Sequence, residues 1–360
     1  MNHAFDRTNA GRILIWKIQC SCSVNAAVLP QNNRLGSTAN YPMPRVVYCR
    51  HYNIGFYGLE RLHPFDSRKY GRAWKQLRHH FGSSLRRYHV RPIRPVNREE
   101  LLLVHTNAYL KQLRNSQYVA KALEVPAVRH LPRWAIDFHV LRPMRWAARG
   151  TIVAAQQALE HGFAVNLSGG YHHAKPDRGE GFSIYSDAGI AVASLRKQGM
   201  ISEMTRIICV DTDAHQGNGV CHTFMDDNRV FIFDIFNSRI YPVFDVDARK
   251  RVDCDVGITS DCTDSEYMSE LETRLPGFLD SICKSPVGLA IYNAGTDVLT
   301  GDPLGGLNIS AATIRERDMF VVGELRKRNI PTIMVLSGGY TQQSFQLVAD
   351  SVIGLLEMET

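Results

Sequence analysis

Five short, almost uninterrupted apolar segments alternate with amphipathic ones in the second half of the chain, and this alternation restricts the fold more than any other sequence feature. The apolar segments are residues 162–167, 206–210, 229–233, 288–292 and 331–336. Such runs are typical of strands that are buried on both faces. The segments with helical length and spacing are residues 151–161, 186–198, 265–280, 311–328 and 344–356. Strands that alternate with helices predict an α/β fold with a mostly parallel central sheet flanked by helices.

The composition is that of a folded chain with a large core. Of the 360 residues, 44% are hydrophobic, and no Gly/Ser-rich linker interrupts the chain after residue 43. Residues 1–43 carry Asn, Ser and Pro with little periodicity. We therefore expect a poorly ordered N-terminal extension over residues 1–43 and a single domain over residues 44–360. Apolar runs stay well short of the ~18 to 20 residues of a membrane helix, so we expect no membrane contact.

The cysteines indicate the compartment. The chain has 8 cysteines without a CxxC pair or a regular spacing, which argues against a disulfide framework and favours a reducing environment. We expect an intracellular protein, in the cytoplasm first and, in a eukaryote, also in the nucleus. The oligomeric state is left open by the sequence.

A basic segment lies near the start of the predicted domain. Between Arg61 and Arg98 there are 11 Lys and Arg residues against one acid, Asp66. A nucleic acid or an acidic protein tail could bind such a segment. Because the charges are accompanied by no interleaved aromatic code and no known docking motif, we expect a solvated surface and no direct binding of nucleic acid.

Four of the predicted strands are followed by polar clusters. The clusters are residues 168–173, 211–219, 293–297 and 337–340. Ligands of open parallel sheets bind outside the carboxyl ends of the strands. We therefore expect the four clusters to converge on one active site at that edge.

The sequence Asp211-Thr-Asp213-Ala-His215 has the residue types of a metal site. Alternate residues of an extended strand end point to the same side, so two carboxylates and an imidazole would face together. With Asp297 as a further oxygen ligand, Asp213 and His215 make a three-ligand set typical of catalytic zinc. The alternative is that Asp211 and Asp213 cap the N-terminus of a following helix.

Two neighbouring histidines and a tyrosine complete the candidate site. His172 and His173 follow a Gly-Gly pair and could deprotonate a water and later protonate a leaving amine. Each needs an orienting acceptor on its other nitrogen, for which Asp211 and Asn218 are the candidates. Tyr340 also follows a Gly-Gly pair, and its phenol could donate to an oxyanion. Taken alone, a pair of histidines is more often a surface residue pair or core filler, and Tyr340 could be an ordinary half-buried tyrosine.

These motifs resemble the zinc-dependent histone deacetylase family, and the resemblance extends over residues 45–357. Besides the four polar clusters, the motifs that carry it are Gly301-Asp-Pro303, Tyr52-Asn-Ile-Gly-Phe56, Leu59-Glu-Arg-Leu-His-Pro-Phe-Asp66 and Asp177-Arg-Gly-Glu-Gly-Phe182. The branch that the chain resembles is class IV, since Asn218 stands where other classes tend to have a second Asp. Ser168 and Ser337 replace a glycine of the usual triple-glycine stretches.

The resemblance implies an arginase/deacetylase fold and specific roles for the site residues. The implied zinc ligands are Asp213, His215 and Asp297. His173 would be the general base and acid, and His172, paired with Asp211, would be its electrostatic partner. Tyr340 would polarise the acyl carbonyl. The implied reaction is the hydrolysis of an acyl-lysine amide to a carboxylate and free lysine.

The resemblance also implies a substrate tunnel and a second cation. Phe182 and Tyr241 would wall the tunnel that takes the acyl-lysine side chain, and Gly181 would meet the substrate backbone. The family binds potassium near the Asp211–His215 loop, and Asp234 falls near the matching position.

Class IV resemblance points to long fatty-acyl lysine as a better substrate than acetyl-lysine. The segment from Gly301 to Leu307, with Leu304, would line the mouth or floor of the tunnel, and Gly305-Gly306 would leave room there for a long acyl chain. The alternative is that these glycines only make a turn.

Three other functions are compatible with the same residues. An arginase-type site with two metals would need more carboxylates, and the loop position available for one is Asn218. A binding module without catalysis would be favoured by loss of a ligand or of Tyr340, and neither is lost. An enzyme that deacetylates acetylpolyamines or similar small amines keeps every residue of the site.

Overall fold

One parallel sheet contains all the strands of the described residues. In the computed structural model these residues are 43–55, 66 and 68–358, and they belong to one compact unit. The strands are β1 (Arg45–Val47), β2 (His89–Val90), β3 (Phe163–Asn166), β4 (Arg206–Asp211), β5 (Val230–Asn237), β6 (Cys254–Ile258), β7 (Val287–Asn293) and β8 (Thr332–Val335). Their order in the sheet is β2-β1-β3-β8-β7-β4-β5-β6, and every pairing is parallel.

The five strands predicted from apolar runs are confirmed, as β3, β4, β5, β7 and β8. Strands β1, β2 and β6 were not predicted from the sequence. Strands β1 and β2 are 3 and 2 residues long, too short for any periodicity to mark them. Strand β6 lies at the edge of the sheet and contains Asp255 and Gly257, so it lacks the continuous apolar pattern of a central strand.

Helices cover the sheet, and the described residues form thirteen α-helices. The first seven are α1 (Lys69–Phe81), α2 (Leu85–Tyr88), α3 (Arg98–Leu101), α4 (Asn107–Gln112), α5 (Ser116–Ala122), α6 (Arg133–Ile136) and α7 (Arg142–His161). The remaining six are α8 (Asp187–Lys197), α9 (Asn218–Thr223), α10 (Val246–Arg251), α11 (Asp264–Ile282), α12 (Ala311–Lys327) and α13 (Ser344–Glu357). Shorter helical turns cover Arg50–Tyr52, Gly82–Ser84, Pro126–His130 and Asp137–Leu141.

All five predicted helices are present, and the largest error is at the start of α7. This helix begins at Arg142, nine residues before the predicted position. The N-termini of α11 and α12 have side-chain caps. Thr263 forms a capping box with Glu266, and the Ser310 hydroxyl accepts from the backbone N–H of Thr313, which satisfies donors that the helix itself cannot use.

The sheet separates two hydrophobic cores. Alternate residues of β4 point to opposite faces, so that Ile208 and Val210 pack in one core and Ile207 and Cys209 in the other. The first core includes side chains of α1, α11, α12 and α13, and the second includes those of α7 and α8. This burial on both faces is what the continuous apolar runs predict.

Some sequence predictions fall outside the described residues. The predicted N-terminal extension does so except for Met43, and so do residues 56–65 of two motifs. In the part of the chain that is described, no helix has both the length and the apolar character to span a membrane. The six cysteines located there, Cys49, Cys209, Cys221, Cys254, Cys262 and Cys283, are free.

Candidate metal and catalytic site

The four polar clusters meet at one edge of the sheet, as expected. They follow β3, β4, β7 and β8, and these four strands are consecutive in the sheet in the order β3-β8-β7-β4. Because all of them are parallel, their carboxyl ends lie side by side.

The three predicted metal ligands converge. Suitable ligand atoms of Asp213, His215 and Asp297 lie within 4.8 Å of one another, and this is the group that the described residues offer for a metal ion. Both carboxylates are 0% exposed and the imidazole residue is 7% exposed. His215 Nδ1 lies 2.9 Å from Asp297 Oδ2 and 3.1 Å from Asp213 Oδ1.

Two glycines make room for these carboxylates. A Cβ atom on Gly338 would lie 2.2 Å from Asp297 Oδ2 and 2.6 Å from Asp213 Oδ2, and a Cβ atom on Gly295 would lie 2.2 Å from Asp213 Oδ2. The backbone also holds the carboxylates. Gly338 N–H donates to Asp213 Oδ2 over 2.8 Å and Ala214 N–H donates to Asp297 Oδ1 over 2.9 Å. The backbone is therefore shaped around these two side chains.

The charges of the three side chains fit a divalent cation. Burial and the Asp213 carboxylate raise the pKa of Asp297 to about 7. Burial lowers the pKa of His215, but Asp213 and Asp297 raise it to about 10. Two buried carboxylates so close together need a positive partner. Two oxygens and one imidazole nitrogen, with a position left for water, form the donor set of catalytic zinc rather than of magnesium or calcium.

His172 is paired with Asp211. Its Nδ1–H donates to Asp211 Oδ2 over 2.9 Å, and Asn293 Nδ2 donates to Asp211 Oδ1 over 2.8 Å. Burial lowers the pKa of His172, but Asp211 and Asp213 raise it to about 9. The alternative that Asp211 or Asp213 caps a helix is wrong, because α9 begins after Gly217 and has no side-chain cap.

His173 has a different partner. Its Nδ1–H donates to Asn218 Oδ1 over 2.8 Å, and its ring centroid lies 4.0 Å from that of His172. Burial, the charge of His172 and that of His215 hold the pKa of His173 well below its usual value. The two acceptors predicted from the sequence are thus divided between the histidines, with Asp211 on His172 and Asn218 on His173.

Aromatic rings lie next to the predicted metal ligand His215 and next to His173. The ring of Tyr340 lies 5.9 Å from that of Phe182 and 6.2 Å from that of His215, and the ring of Tyr241 lies 5.0 Å from that of His173. Both Gly181 and Phe182 have positive φ angles, of 52° and 62°. A Cβ atom on Gly181 would lie 2.5 Å from His173 Cδ2, so this turn packs directly on the imidazole. The predicted tunnel residues 181, 182 and 241 are therefore brought together with the predicted catalytic ones.

The expected room at Gly305 is not there. A Cβ atom on Gly305 would lie 1.8 Å from the carbonyl oxygen of Asp297, so this glycine permits a close backbone contact and opens no space for an acyl chain. Asp302 Oδ1 accepts from the N–H groups of Leu304 and Gly305, and Gly306 has a φ angle of 63°. The alternative that the glycines make a turn is the one that holds. Leu304 is half-buried in this turn.

Asp234 lies beside residues 211–219, which we call the metal loop because they include the predicted ligands Asp213 and His215. It pairs with Asp211 in the register of β4 and β5 and is fully buried. Its Oδ2 accepts from the N–H of Gly217 over 2.9 Å, whereas its Oδ1 has no hydrogen-bond partner among the described residues. Burial and the Asp211 carboxylate raise the pKa of Asp234 well above its usual value. A buried carboxylate oxygen in this state fits a small cation.

Arg317 of α12 is a site residue that the sequence analysis missed. It is 0% exposed and its Nη1 donates to the carbonyls of Thr212, over 3.0 Å, and Gly295, over 2.8 Å. Its Nε donates to Asp318 Oδ1 over 2.9 Å. One guanidinium therefore ties together the loops that carry Asp213 and Asp297.

Lys69 was also missed, and for this residue the expectation of a solvated basic surface is wrong. It is 0% exposed, whereas Lys75 and Arg78 of the same helix are exposed. Its Nζ donates to the carbonyls of Ser337, over 2.7 Å, and Gly338, over 2.8 Å, and burial lowers its pKa to about 8. The signal was available, since Lys69 precedes the buried residues Ala73 and Leu77 by one and two helical turns.

Comparison with known protein families agrees with this geometry. Residues 63–356 match the model of the histone deacetylase domain. The chain belongs to the histone deacetylase family. This family member is 39% identical to histone deacetylase 2 of Arabidopsis thaliana over 341 residues, which cover 93% of this chain and 85% of that protein. It is 27% identical to histone deacetylase 2 of Oryza sativa over 314 residues, which cover 82% of this chain and 58% of that protein.

Solved structures show the same fold. The HD domain of HDA15 has a TM-score of 0.67 at 18% identity and covers 88% of each chain. The acetylpolyamine aminohydrolase of Burkholderia pseudomallei has a TM-score of 0.66 at 18% identity and covers 87% of this chain and 98% of its own. The predicted arginase/deacetylase fold is confirmed, and the chain is a histone deacetylase-like amidohydrolase. The class IV assignment remains a prediction.

Proposed function

We propose that this histone deacetylase family member is a zinc-dependent lysine deacylase, which hydrolyses the Nε-acyl amide of lysine side chains in proteins such as histones. The observation that carries the proposal is the buried triad of Asp213, His215 and Asp297 beside two histidines with different partners. A hydrolase needs a site for the carbonyl oxygen, a base for water and an acid for the leaving amine, and these residue types are all within the site.

Asp213, His215 and Asp297 would hold the zinc. Bound there, zinc would supply Lewis-acid chemistry toward the amide carbonyl and toward a water molecule. The shape of the backbone loops supports this assignment, because a Cβ atom on Gly295 or Gly338 would collide with the carboxylates of Asp213 and Asp297. We also propose that Asp234 contributes to a potassium site behind the metal loop, which its unpaired buried oxygen supports.

His173 is the general base and acid in this proposal. Its Nδ1–H is held by Asn218, so that Nε2 has the free lone pair that accepts the proton of water. A pKa well below the usual value keeps this nitrogen unprotonated before the reaction. The same nitrogen then returns the proton to the lysine amine as the amide C–N bond breaks.

His172 and Tyr340 stabilise charge rather than move protons. With its pKa raised to about 9, His172 stays protonated at neutral pH, and its positive charge favours the negative charge that develops on the carbonyl oxygen. The phenol of Tyr340 keeps its proton, because burial and the carboxylate of Asp297 raise its pKa well above the usual value. It can therefore donate a hydrogen bond to that oxygen.

The aromatic walls match the four-carbon stem of a lysine side chain. Phe182 and Tyr340 meet edge to face, with 5.9 Å between their ring centroids, and Tyr241 lies beside His173. Apolar rings of this kind bind an extended methylene chain and leave the amide at the polar end. We propose that the substrate enters along these rings, with Gly181 next to the substrate backbone.

The test is an assay of purified enzyme with acetyl-lysine, octanoyl-lysine and myristoyl-lysine peptides and with an acetylated polyamine, with zinc measured on the same sample. We expect hydrolysis of at least one acyl-lysine peptide at a higher kcat/KM than the polyamine. A preference for the polyamine would establish the alternative, a small-molecule amide deacetylase. The ratio of kcat/KM among the three peptides shows which acyl chain the enzyme prefers.

We further propose that the protein acts inside the cell, as the cysteine pattern predicts. The six described cysteines are free thiols, which supports a reducing compartment. Fluorescence microscopy of the tagged full-length protein would test this, and accumulation outside the cell would contradict it.

A further inference from the structure

A compact group of charged side chains lies beside His173, the proposed general base. We call Lys175, Glu180 and Asp245 the Lys175 cluster. Lys175 is 3% exposed, and its Nζ lies 2.8 Å from Glu180 Oε1 and 2.6 Å from Asp245 Oδ2. His222 Nε2 lies 2.9 Å from the other oxygen of Asp245. One buried lysine thus holds two carboxylates at defined positions.

Both carboxylates also accept from the Asn218 side chain. Asn218 Nδ2 donates to Glu180 Oε1 over 2.7 Å and to Asp245 Oδ2 over 3.0 Å. Because carboxylates only accept hydrogen bonds, the NH₂ group of Asn218 has to face them. Its carbonyl oxygen then has to face His173, whose Nδ1 lies 2.8 Å away.

This orientation decides where the proton of neutral His173 sits. An amide oxygen accepts and does not donate, so the hydrogen of the imidazole is placed on Nδ1. The lone pair is left on Nε2. A flipped Asn218 amide would present its NH₂ group to Nδ1 and favour the opposite tautomer, with the hydrogen on Nε2.

Glu180 connects the same cluster to the tunnel. Its Oε1 accepts from the Tyr241 hydroxyl over 2.9 Å, and the next residue, Gly181, packs against the His173 ring. The cluster also gives a physical reason for an asparagine at position 218, since a carboxylate there would lie against two others.

We propose that Lys175, Glu180 and Asp245 are positioning residues that set the tautomer of His173 through the orientation of the Asn218 amide. The inference rests on the proposed function, because it takes His173 as the base. It adds that the base is controlled by a charged cluster that contains none of the proposed metal ligands.

The experiment is a double-mutant cycle of Asn218→Asp and Glu180→Gln in zinc-loaded enzyme. Asn218→Asp places a third carboxylate against Glu180 and Asp245 and should lower kcat about 10- to 100-fold, a large part of what a general base contributes. Glu180→Gln alone should cost a few-fold. In the double variant the new amide can donate to the introduced carboxylate, so kcat should rise at least about 5-fold above that of Asn218→Asp.

A second readout needs no substrate. In protein labelled with ¹⁵N-histidine and loaded with zinc, the His173 signals should show a protonated Nδ1 and an unprotonated Nε2 in the wild type. Asn218→Asp keeps an acceptor opposite Nδ1, so Nδ1 should stay protonated, but the added negative charge should protonate Nε2 as well. The double variant, in which the new amide can donate to the introduced carboxylate, should return Nε2 to the unprotonated form. Glu203→Gln serves as the control, because it removes a negative charge from a side chain that is 78% exposed and should change neither kcat nor the signals.

Two results would overturn the inference: a double variant no faster than Asn218→Asp, or a wild-type proton on Nε2. If Asn218→Asp does not fold, recovery of cooperative thermal unfolding in the double variant supports the same contact, and its absence contradicts it. If the zinc-loaded wild type hydrolyses no acyl-lysine substrate, the proposed function fails, whereas the tautomer measurement still decides the inference.

Discussion

The two sides of the active site contain the same imidazole in opposite states. On one side His172 faces the carboxylate of Asp211, and its pKa is raised to about 9. On the other side His173 faces the amide of Asn218, and its pKa lies well below the usual value. The ring centroids are only 4.0 Å apart, and both residues are buried, so burial alone does not explain the difference.

The difference shows that the partner assigns the role. A carboxylate stabilises the imidazolium and makes His172 a fixed positive charge. The neutral amide on His173 raises its pKa too little to offset burial and the charges of His172 and His215. Two titratable groups whose surroundings push their pKa values apart are the arrangement from which acid and base roles follow. Five sets of variants would break or sharpen this comparison.

The largest effect is expected when a predicted metal ligand, on which both sides of the site depend, is removed. Asp213→Ala and His215→Ala each delete one of three metal ligands, so zinc content should fall from near-stoichiometric to little, and activity should fall to background. Elemental analysis of the purified variants measures this. Full zinc occupancy in His215→Ala would mean that the ligand set is wrongly assigned.

A matched pair of glycine variants separates the shape of this site from general stability. Gly338→Ala should lower zinc content, because its Cβ would lie 2.2 Å from Asp297 Oδ2, whereas Gly323→Ala has nothing within 4 Å of its Cβ and should leave zinc content unchanged. Equal zinc content in both would show that the tight packing at Gly338 is not needed.

The next largest effect should come from removing one histidine at a time. His173→Ala deletes the proton carrier and should lower kcat by about 10² to 10⁴. His172→Ala deletes a charge next to the reaction and should cost less, with zinc retained in both. Steady-state kinetics measure the two losses. A larger loss in His172→Ala would exchange the roles of the two histidines.

Tyr340→Phe tests the proposed hydrogen-bond donor to the oxyanion, which is neither of the two histidines. Loss of a hydrogen-bond donor to the oxyanion should lower kcat by about 10² to 10³, no more than His173→Ala, while the zinc content stays at the wild-type level. A kcat close to that of the wild type would remove Tyr340 from the mechanism.

The smallest expected effect comes from making the two sides alike. Asp211→Asn replaces the carboxylate on His172 with an amide like that of Asn218 and should lower kcat about tenfold. Since Asp211 raises the pKa of His172, the variant should lose the proton of His172 at a lower pH. The alkaline limb of the kcat profile should therefore move to lower pH, and an unmoved limb would show that His172 does not control it.

The sheet and the catalytic residues could be predicted from the sequence for one physical reason. Strands buried on both faces leave continuous apolar runs, and the functional residues follow those runs directly, as Asp211 follows Val210. Residues that are neighbours along the chain were therefore enough to predict both the central strands of the sheet and the catalytic residues. The short strand β2 had no such pattern, and the polar edge strand β6 had too little apolar sequence to be recognised.

The contacts of the supporting residues could not be predicted, because their partners are distant backbone atoms. The helical spacing of Lys69 from Ala73 and Leu77 indicated only that its side chain is buried. Lys69 donates to the carbonyl of Ser337, 268 positions along the chain, and Arg317 donates to two carbonyls in separate loops. A carbonyl group is present at every residue and leaves no trace in the sequence. At Gly305 the sequence marked a special position correctly, but only the neighbouring Asp297 carbonyl tells that the glycine serves a close contact.

Arg317 has a consequence for how the two carboxylates treat a cation. Its guanidinium holds the carbonyls of Thr212 and Gly295, so the loops that carry Asp213 and Asp297 keep a defined separation. The N–H groups of Gly338 and Ala214 donate to the two carboxylates. A carboxylate that already accepts hydrogen bonds is a weaker base, so a cation bound between the two would keep more of its electrophilic strength and would be held less firmly. Helix α12 would thereby help to set the balance between retention of a metal and its reactivity.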